Sequence, residues 1–208
     1  MKCCSLLNSY KDKLHKKSDQ RGAALIEFAI ILPLLALLAF VAVDFGRLFH
    51  ARLIVTNVCR EGGSIASRQL RSTDELLDLL QASGEPLDLQ QDGRIYITRV
   101  RAATGIPGSP YEDTPRIINP DDSNRGSLTV SSSINEDHQT FGFSPAIFEY
   151  LQYNEDYGTS IISELVIVEV YYRFQPITPL PGFLINNMFN HDGGMIFSSR
   201  SVMQYVDR

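Results

Sequence analysis

Residues 23–43 read AALIEFAIILPLLALLAFVAV, an apolar run of 21 residues interrupted by one charge, Glu27, and one proline, Pro33. Wound as a helix, such a run measures about 30 Å, the thickness of a bilayer's hydrocarbon core. Beyond Asp44 the run gives way to a stripe. Leu48, Val55, Val58, Cys59, Gly62 and Ile65 recur at three- and four-residue spacings, while Arg52, Arg60, Glu61 and Arg68 take the opposite side. One long helix from about Ala23 to about Leu70 is therefore predicted, on the order of 70 Å in length. Pro33 removes one backbone hydrogen bond and is expected to kink it. Gly62-Gly63 is expected to be a weak point, a candidate hinge. Ser72 or Thr73 then caps a short helix over residues 74–80, which Ser83-Gly84 ends.

From residue 94 the period changes to that of strands. Ile95–Val100 is the first, Leu128–Ser132 a candidate second, Glu164–Phe174 the strongest, and Met195–Val206 the last. Residues 104–126, rich in Pro, Gly, Asp, Asn and Ser, are expected to form a long loop. Residues 143–160 are aromatic and irregular, and Pro176, Pro179 and Pro181 stop the strong strand. The expected fold class is α+β: a long N-terminal helix, transmembrane in its first half, with a small antiparallel sheet on its outer half. The expected division is a basic leader (1–22), a transmembrane helix (23–43), an extracytoplasmic continuation of that helix (44–71) and an extracytoplasmic α+β domain (72–208).

Charge gives the span a direction. Residues 1–22 hold six Lys or Arg against Asp12 and Asp19, a formal +4, and the other 186 residues hold 13 basic and 22 acidic groups, a formal −9. The basic end favours a cytoplasmic N-terminus and an exported C-terminus. An acidic body argues against nucleic acid as a partner, because phosphate contacts need clustered Lys and Arg. A cleaved secretory signal fits less well, since the apolar run exceeds a normal signal core and no small-x-small site closes it. A plain signal anchor is the simpler alternative. Cys59 is the one cysteine outside the leader, so no disulfide framework supports the body, and a small apolar residue on a buried helix face is its expected role.

Glu27 changes the reading of the anchor. A carboxylate in an apolar span costs about a few kcal/mol at the bilayer centre and less near the edge. A charge that merely snorkels to water is the simple account of it. Yet the order of residues is particular: Arg21-Gly22, then an apolar helix with Glu27 as its fifth residue and Phe28 as its sixth. This resembles type IV prepilins and pseudopilins. The resemblance implies that a membrane aspartyl peptidase, the prepilin peptidase, cuts between Gly22 and Ala23. It also implies that Glu27 pairs with the new N-terminal amine of a neighbouring subunit, since charges buried in lipid are tolerable only when paired.

The likeness runs on. Arg21-Gly22-Ala23-Ala24-Leu25-Ile26-Glu27-Phe28-Ala29, Leu32-Pro33-Leu34-Leu35, Asp44-Phe45-Gly46-Arg47, Val55-Thr56-Asn57 and Arg60-Glu61-Gly62 together resemble the TadE-like family, minor pilins or pseudopilins of the tight-adherence (Tad/Flp) pilus machinery. Val166–Tyr172 with Pro176-Ile177-Thr178-Pro179-Leu180 is similar to it more loosely. The family implies a non-enzymatic subunit of the bacterial inner membrane, or of the pilus itself. Its partners would be the prepilin peptidase, other pilin and pseudopilin subunits, the Tad assembly platform and membrane lipid. The implied role is in pilus biogenesis, adherence and biofilm formation, with no cofactor. A relative with a von Willebrand A domain would need Asp-x-Ser-x-Ser, which is absent, and the major Flp pilin is far shorter.

Other chemistry finds little footing. Asp44-Phe45-Gly46 matches the kinase metal triplet in letters only, without a Gly-rich loop, a paired Lys or an HRD segment. Residues 121–126 lack the closing Glu of a calcium loop. His138 and His191 lie in loops beside acidic residues, no Ser stands in GxSxG, and Gly105-Ile106-Pro107-Gly108 reads as a turn. The rival from another class is a single-pass protein whose outer domain binds a ligand or catalyses, the span being mere attachment.

Overall fold

A computed structural model describes residues 3–109, 114–118, 123–134, 140–156, 158, 160–177 and 194–205, with side chains described from residue 22 onward. Helix α1 (Cys3–Ser67) is followed by α2 (Thr73–Ser83), β1 (Gly93–Arg101), β2 (Arg116–Ile117), β3 (Asn124–Arg125), α3 (Pro145–Leu151), β4 (Glu164–Phe174) and β5 (Met195–Gln204). The chain divides into two compact units, Met1–Arg47 and Leu48–Arg208. The α+β, pilin-like layout read from the sequence is the one observed. Residues 121–122, His138, Pro179, Pro181 and His191 lie outside the described residues.

In the first unit α1 begins at Cys3, some twenty residues before the apolar run, and continues without a break through Pro33. The early start has a simple cause: residues 3–21 contain neither Gly nor Pro and several strong helix formers. Residues 22–40 are all exposed within the chain.

The second unit is built on an antiparallel sheet in the order β2-β1-β4-β5, with β3 also pairing β1. Its spine is the nine-residue register between β1 and β4, running from Gly93↔Tyr172 to Arg101↔Glu164. Because β4 is central and covered on both faces, its residues 164–170 are buried without alternation, as a near-continuous apolar run demands. One face packs Ile95 and Ile97 of β1 and Val166, Val168 and Val170 of β4 against Val55, Val58 and Cys59 of α1 and Leu76, Leu77 and Leu80 of α2. The other packs Val100, Leu165 and Ile167 under Ile134, Phe141, Phe143 and Leu151. The helical stripe from Val55 to Gly62 thus faces the sheet, as its spacing predicts.

Three expectations need correction. Gly62-Gly63 is not a hinge: α1 runs straight through it, and both glycines are buried. A Cβ on Gly62 would stand 2.7 Å from Leu80 Cδ1 and 3.2 Å from Val168 Cγ1, and one on Gly63 would stand 2.6 Å from Ser201 Oγ. The glycines let the helix approach α2 and the sheet. Residues 128–132 are not a strand. Gly126, at φ +107°, turns the chain where a Cβ would strike the Gly93 carbonyl oxygen at 2.2 Å, and past it one backbone bond, from Leu128 N–H to that carbonyl at 3.2 Å, reaches β1 without a strand forming. Finally, the aromatic stretch after 143 contains α3, started by Pro145 after Ser144.

The caps behave as read. Ser72 accepts the Glu75 N–H at 3.3 Å, and Gly84 follows α2 where Leu89 leaves no room for a side chain. Cys59 is free and fully buried, its thiol donating to the Val168 carbonyl at 3.0 Å. Burial, and then the nearby Glu169 carboxylate, push that thiol up to about 11, against the pull of hydrogen bonds such as that from Ser199.

Candidate functional site

Two glutamates interrupt apolar runs in this chain, and their surroundings separate them. Glu169 stands in the middle of β4, 2 % exposed, directly across from Tyr96 on β1 and Arg200 on β5. Ser132 and Ser133 both donate to its carboxylate, Arg200 Nε reaches it at 3.3 Å, and Tyr171 donates at 3.4 Å. Arg200 also donates to the Gly142 carbonyl at 2.9 Å, and Tyr96 to that of Val130 at 2.5 Å. This cluster ties Val130, Ser132, Ser133 and Gly142 to the sheet. A buried carboxylate is sustained only by such partners. Burial raises the Tyr171 hydroxyl, with Glu169 adding to the rise against hydrogen bonds from Ser133. The single Glu within Val168-Glu169-Val170 was the signal in the sequence that a polar anchor lay inside the apolar strand.

Glu27 has none of this. It is exposed on α1 and, among the described residues, has no hydrogen-bond or ion-pair partner. Gly22 and Ala23 lie just over one and one helical turn before it, and Phe28, 58 % exposed, lies beside it. Ala23 and Glu27 share a helix face by their four-residue spacing. A Cβ on Gly22 would meet nothing within 4 Å, so no packing requirement accounts for that glycine. Around these residues Leu25, Ile26, Ile30, Ile31, Leu34, Leu37 and Phe40 are each at least half exposed. Monomers rarely leave so continuous an apolar surface uncovered, and its presence marks a membrane or protein contact.

By length and composition α1 is apolar enough to cross a membrane. Its stretch Gly22–Ser67 contains an 18-residue window of mean hydropathy 2.7, none of it buried within the chain. At the end of the first unit, Asp44 pairs with Arg47 at 3.3 Å on successive turns of helix. Gly105 and Gly108 have φ of +62° and +80°, and Ser109 N–H closes a turn onto the Ile106 carbonyl at 3.0 Å. Among the described residues no group of three His, Cys, Asp or Glu side chains is placed to hold a metal ion.

A lone apolar helix, basic at its start, leading into an antiparallel sheet laid on its continuation defines a pilin-like α+β protein. Residues 22–64 match the family model described as TadE-like protein. That segment is therefore TadE-like, over almost the same residues that carry the likeness in the sequence. The match does not extend to the Val166–Leu180 stretch. Comparisons with curated proteins and with solved structures give no match.

Proposed function

We propose that the chain is a minor pilin or pseudopilin of a tight-adherence pilus machinery, a non-enzymatic subunit that supports pilus biogenesis, adherence and biofilm formation. The TadE-like segment supports the association with the Tad pilus. The observation that carries the finer reading is Glu27, set in an exposed apolar helix without a partner among the described residues, in contrast to Glu169, whose partners lie within its own unit. A carboxylate at that depth gains a partner only from outside the chain. In this reading the prepilin peptidase cuts between Gly22 and Ala23. Glu27 and Phe28 then act in assembly, with Glu27 meeting the freed amine of a neighbouring pilin or pseudopilin on the Tad platform. The span sits in the bacterial inner membrane with its N-terminus cytoplasmic and residues 44–208 outside.

Mass spectrometry of the protein from cells with an active prepilin peptidase should find Ala23 as the first residue. An intact leader would sink the processing claim. Glu27→Ala should abolish or strongly reduce pilus output and leave the outer unit folded. Normal output from that variant, or from a chain with a plain apolar span in place of residues 23–43, would show that the span is mere attachment.

A further inference from the structure

Among the described arginines of the second unit, Arg94 donates to the Gly126 carbonyl, Arg116 lies exposed on β2, and the other nine fall into two groups. Arg99, Arg101, Arg125, Arg173 and Arg200, on or beside the sheet, are each ion-paired within the chain. Arg52, Arg60, Arg68 and Arg71, on α1 and just after it, have no partner among the described residues and are exposed. The side of α1 turned away from the sheet carries Leu53 (63 % exposed), Asn57, Arg60, one acid at its margin, Glu61, and, just past its end, Arg68. These recur at helical spacing, with Arg60 and Arg68 about 12 Å apart along the axis. The opposite charge is gathered on α2. Residues 72–92 contain six Asp or Glu and no Lys or Arg. Leu76, Leu77 and Leu80 bury one side of α2, so Glu75, Asp78 and Ala82 form the outward line that Glu85 extends, about 15 Å long. Glu75 and Glu85 have no side-chain partner among the described residues, whereas Asp78 is held by Arg125 at 3.2 Å.

Height along the helix matches the two surfaces. Leu80 lies against Gly62, where a Cβ would be 2.7 Å from its Cδ1. Thus α2 packs beside α1 at the level of Gly62, two residues or about 3 Å from Arg60. We propose that the outer face of α1 around Arg60 and Arg68 docks the acidic α2 face of a second copy of this chain. The proposal rests on the anchor reading above in one respect: copies held in one membrane stand parallel and at one height. At that height the unpaired arginines of one copy meet the unpaired glutamates of the next. The contact joins two different surfaces, so it can repeat from copy to copy. Exposed ion pairs are individually weak, and the shared membrane supplies the effective concentration that makes them count.

Two differently tagged full-length chains, both carrying Cys3→Ser and Cys4→Ser, one with Asn57→Cys and the other with Ala82→Cys, are co-expressed and oxidised in membranes, with Cys59 buried and silent. The expected product is a mixed disulfide between the two tags. Reversing Arg60→Glu and Arg68→Glu in the first chain should lower its yield about fivefold, the effect of losing two exposed pairs. Adding Glu75→Lys and Glu85→Lys to the second chain should restore it. No mixed disulfide, a preferred Asn57→Cys self-disulfide, or indifference to both reversals would each overturn the docking. Leader cleavage is read from the same bands by mass. An uncleaved leader with the mixed disulfide present removes the processing claim alone, and a cleaved leader without it removes the docking alone.

Discussion

A glycine pair read as a hinge and a glycine pair required by packing respond to alanine with opposite signs, and Gly62→Ala decides between them. If Gly62 were only a flexible point in a helix, alanine would stabilise α1 by about 1 kcal/mol. In the structure the new methyl would stand 2.7 and 3.1 Å from the two methyl carbons of Leu80 and 3.2 Å from Val168 Cγ1. Leu80 and Val168 are both fully buried, so neither can swing outward. Overpacking of this kind costs about 1–3 kcal/mol, which exceeds the helical gain in most of its range and leaves a net loss of about 1 kcal/mol. For a unit of this size each kcal/mol lowers the melting temperature by about 2–4 °C. Full-length protein in detergent micelles, followed by the near-ultraviolet dichroism of its nine tyrosines, should therefore melt a few degrees lower. Leu80→Ala supplies the matching arm. Alone it should cost about 2–5 kcal/mol, but Gly62→Ala added to it should cost much less than in the wild type, because the two nearest methyls are gone and only Val168 Cγ1 at 3.2 Å remains. That non-additivity, about 1 kcal/mol or more, is the signature of a direct contact. A higher melting temperature for Gly62→Ala, or strict additivity with Leu80→Ala, would refute the close-packing account and restore the hinge.

Two further outcomes follow from the buried polar groups. Glu169→Ala should destabilise the second unit by about 2–3 kcal/mol, since it strands Ser132, Ser133 and Arg200 together, and should speed amide exchange at residues 131–134; an unchanged urea midpoint would contradict the tie. Cys59 should resist thiol reagents until the protein unfolds. Its folded pKa, about 11, lies above the usual 9.0, so the stability it contributes is whole below about pH 9 and is lost as pH rises towards 11. Comparing urea midpoints of wild type and Cys59→Ala at pH 7.5, 9 and 10 isolates this slope, and parallel curves would show that the thiol is not protected.

Much of the fold was legible because its elements are long and strictly periodic. The stripe from Leu48 to Ile65, the Val-Ile-Tyr run of β4 and the cap at Ser72 each state their geometry locally. What stayed hidden was set by distant partners. β2 and β3 are two residues each and exist because β1 passes opposite them, and a two-residue bridge leaves no period to read. Residues 128–132 alternate as a strand does, yet Gly126 carries the chain off the sheet edge and Ser132 goes to Glu169 instead. The glycines at 62 and 63 look like flexibility in sequence because a missing side chain does not show what fills its place. In the candidate site the position of Gly22, Ala23, Glu27 and Phe28 on one exposed helix was legible, while the self-sufficiency of Glu169 was not.

Glycines and glutamates in the two units differ in what accounts for them. Gly62 and Gly63 are explained by Leu80, Val168 and Ser201, and Glu169 by Ser132, Ser133 and Arg200. Once those debts of packing and hydrogen bonding are settled inside the chain, the same residue types in the first unit stand without an internal reason. Gly22 lowers helix stability by about 1 kcal/mol relative to alanine while facing open space, and Glu27 adds a charge to an apolar surface that offers it no partner. In the function proposed above, a processing enzyme reads the glycine before the cut and a docking neighbour in the membrane pairs the carboxylate five residues later. The second unit holds Glu169 and the paired arginines of its sheet in internal ion pairs, and in the docking proposed above the unpaired charges on α1 and α2 meet those of a second copy.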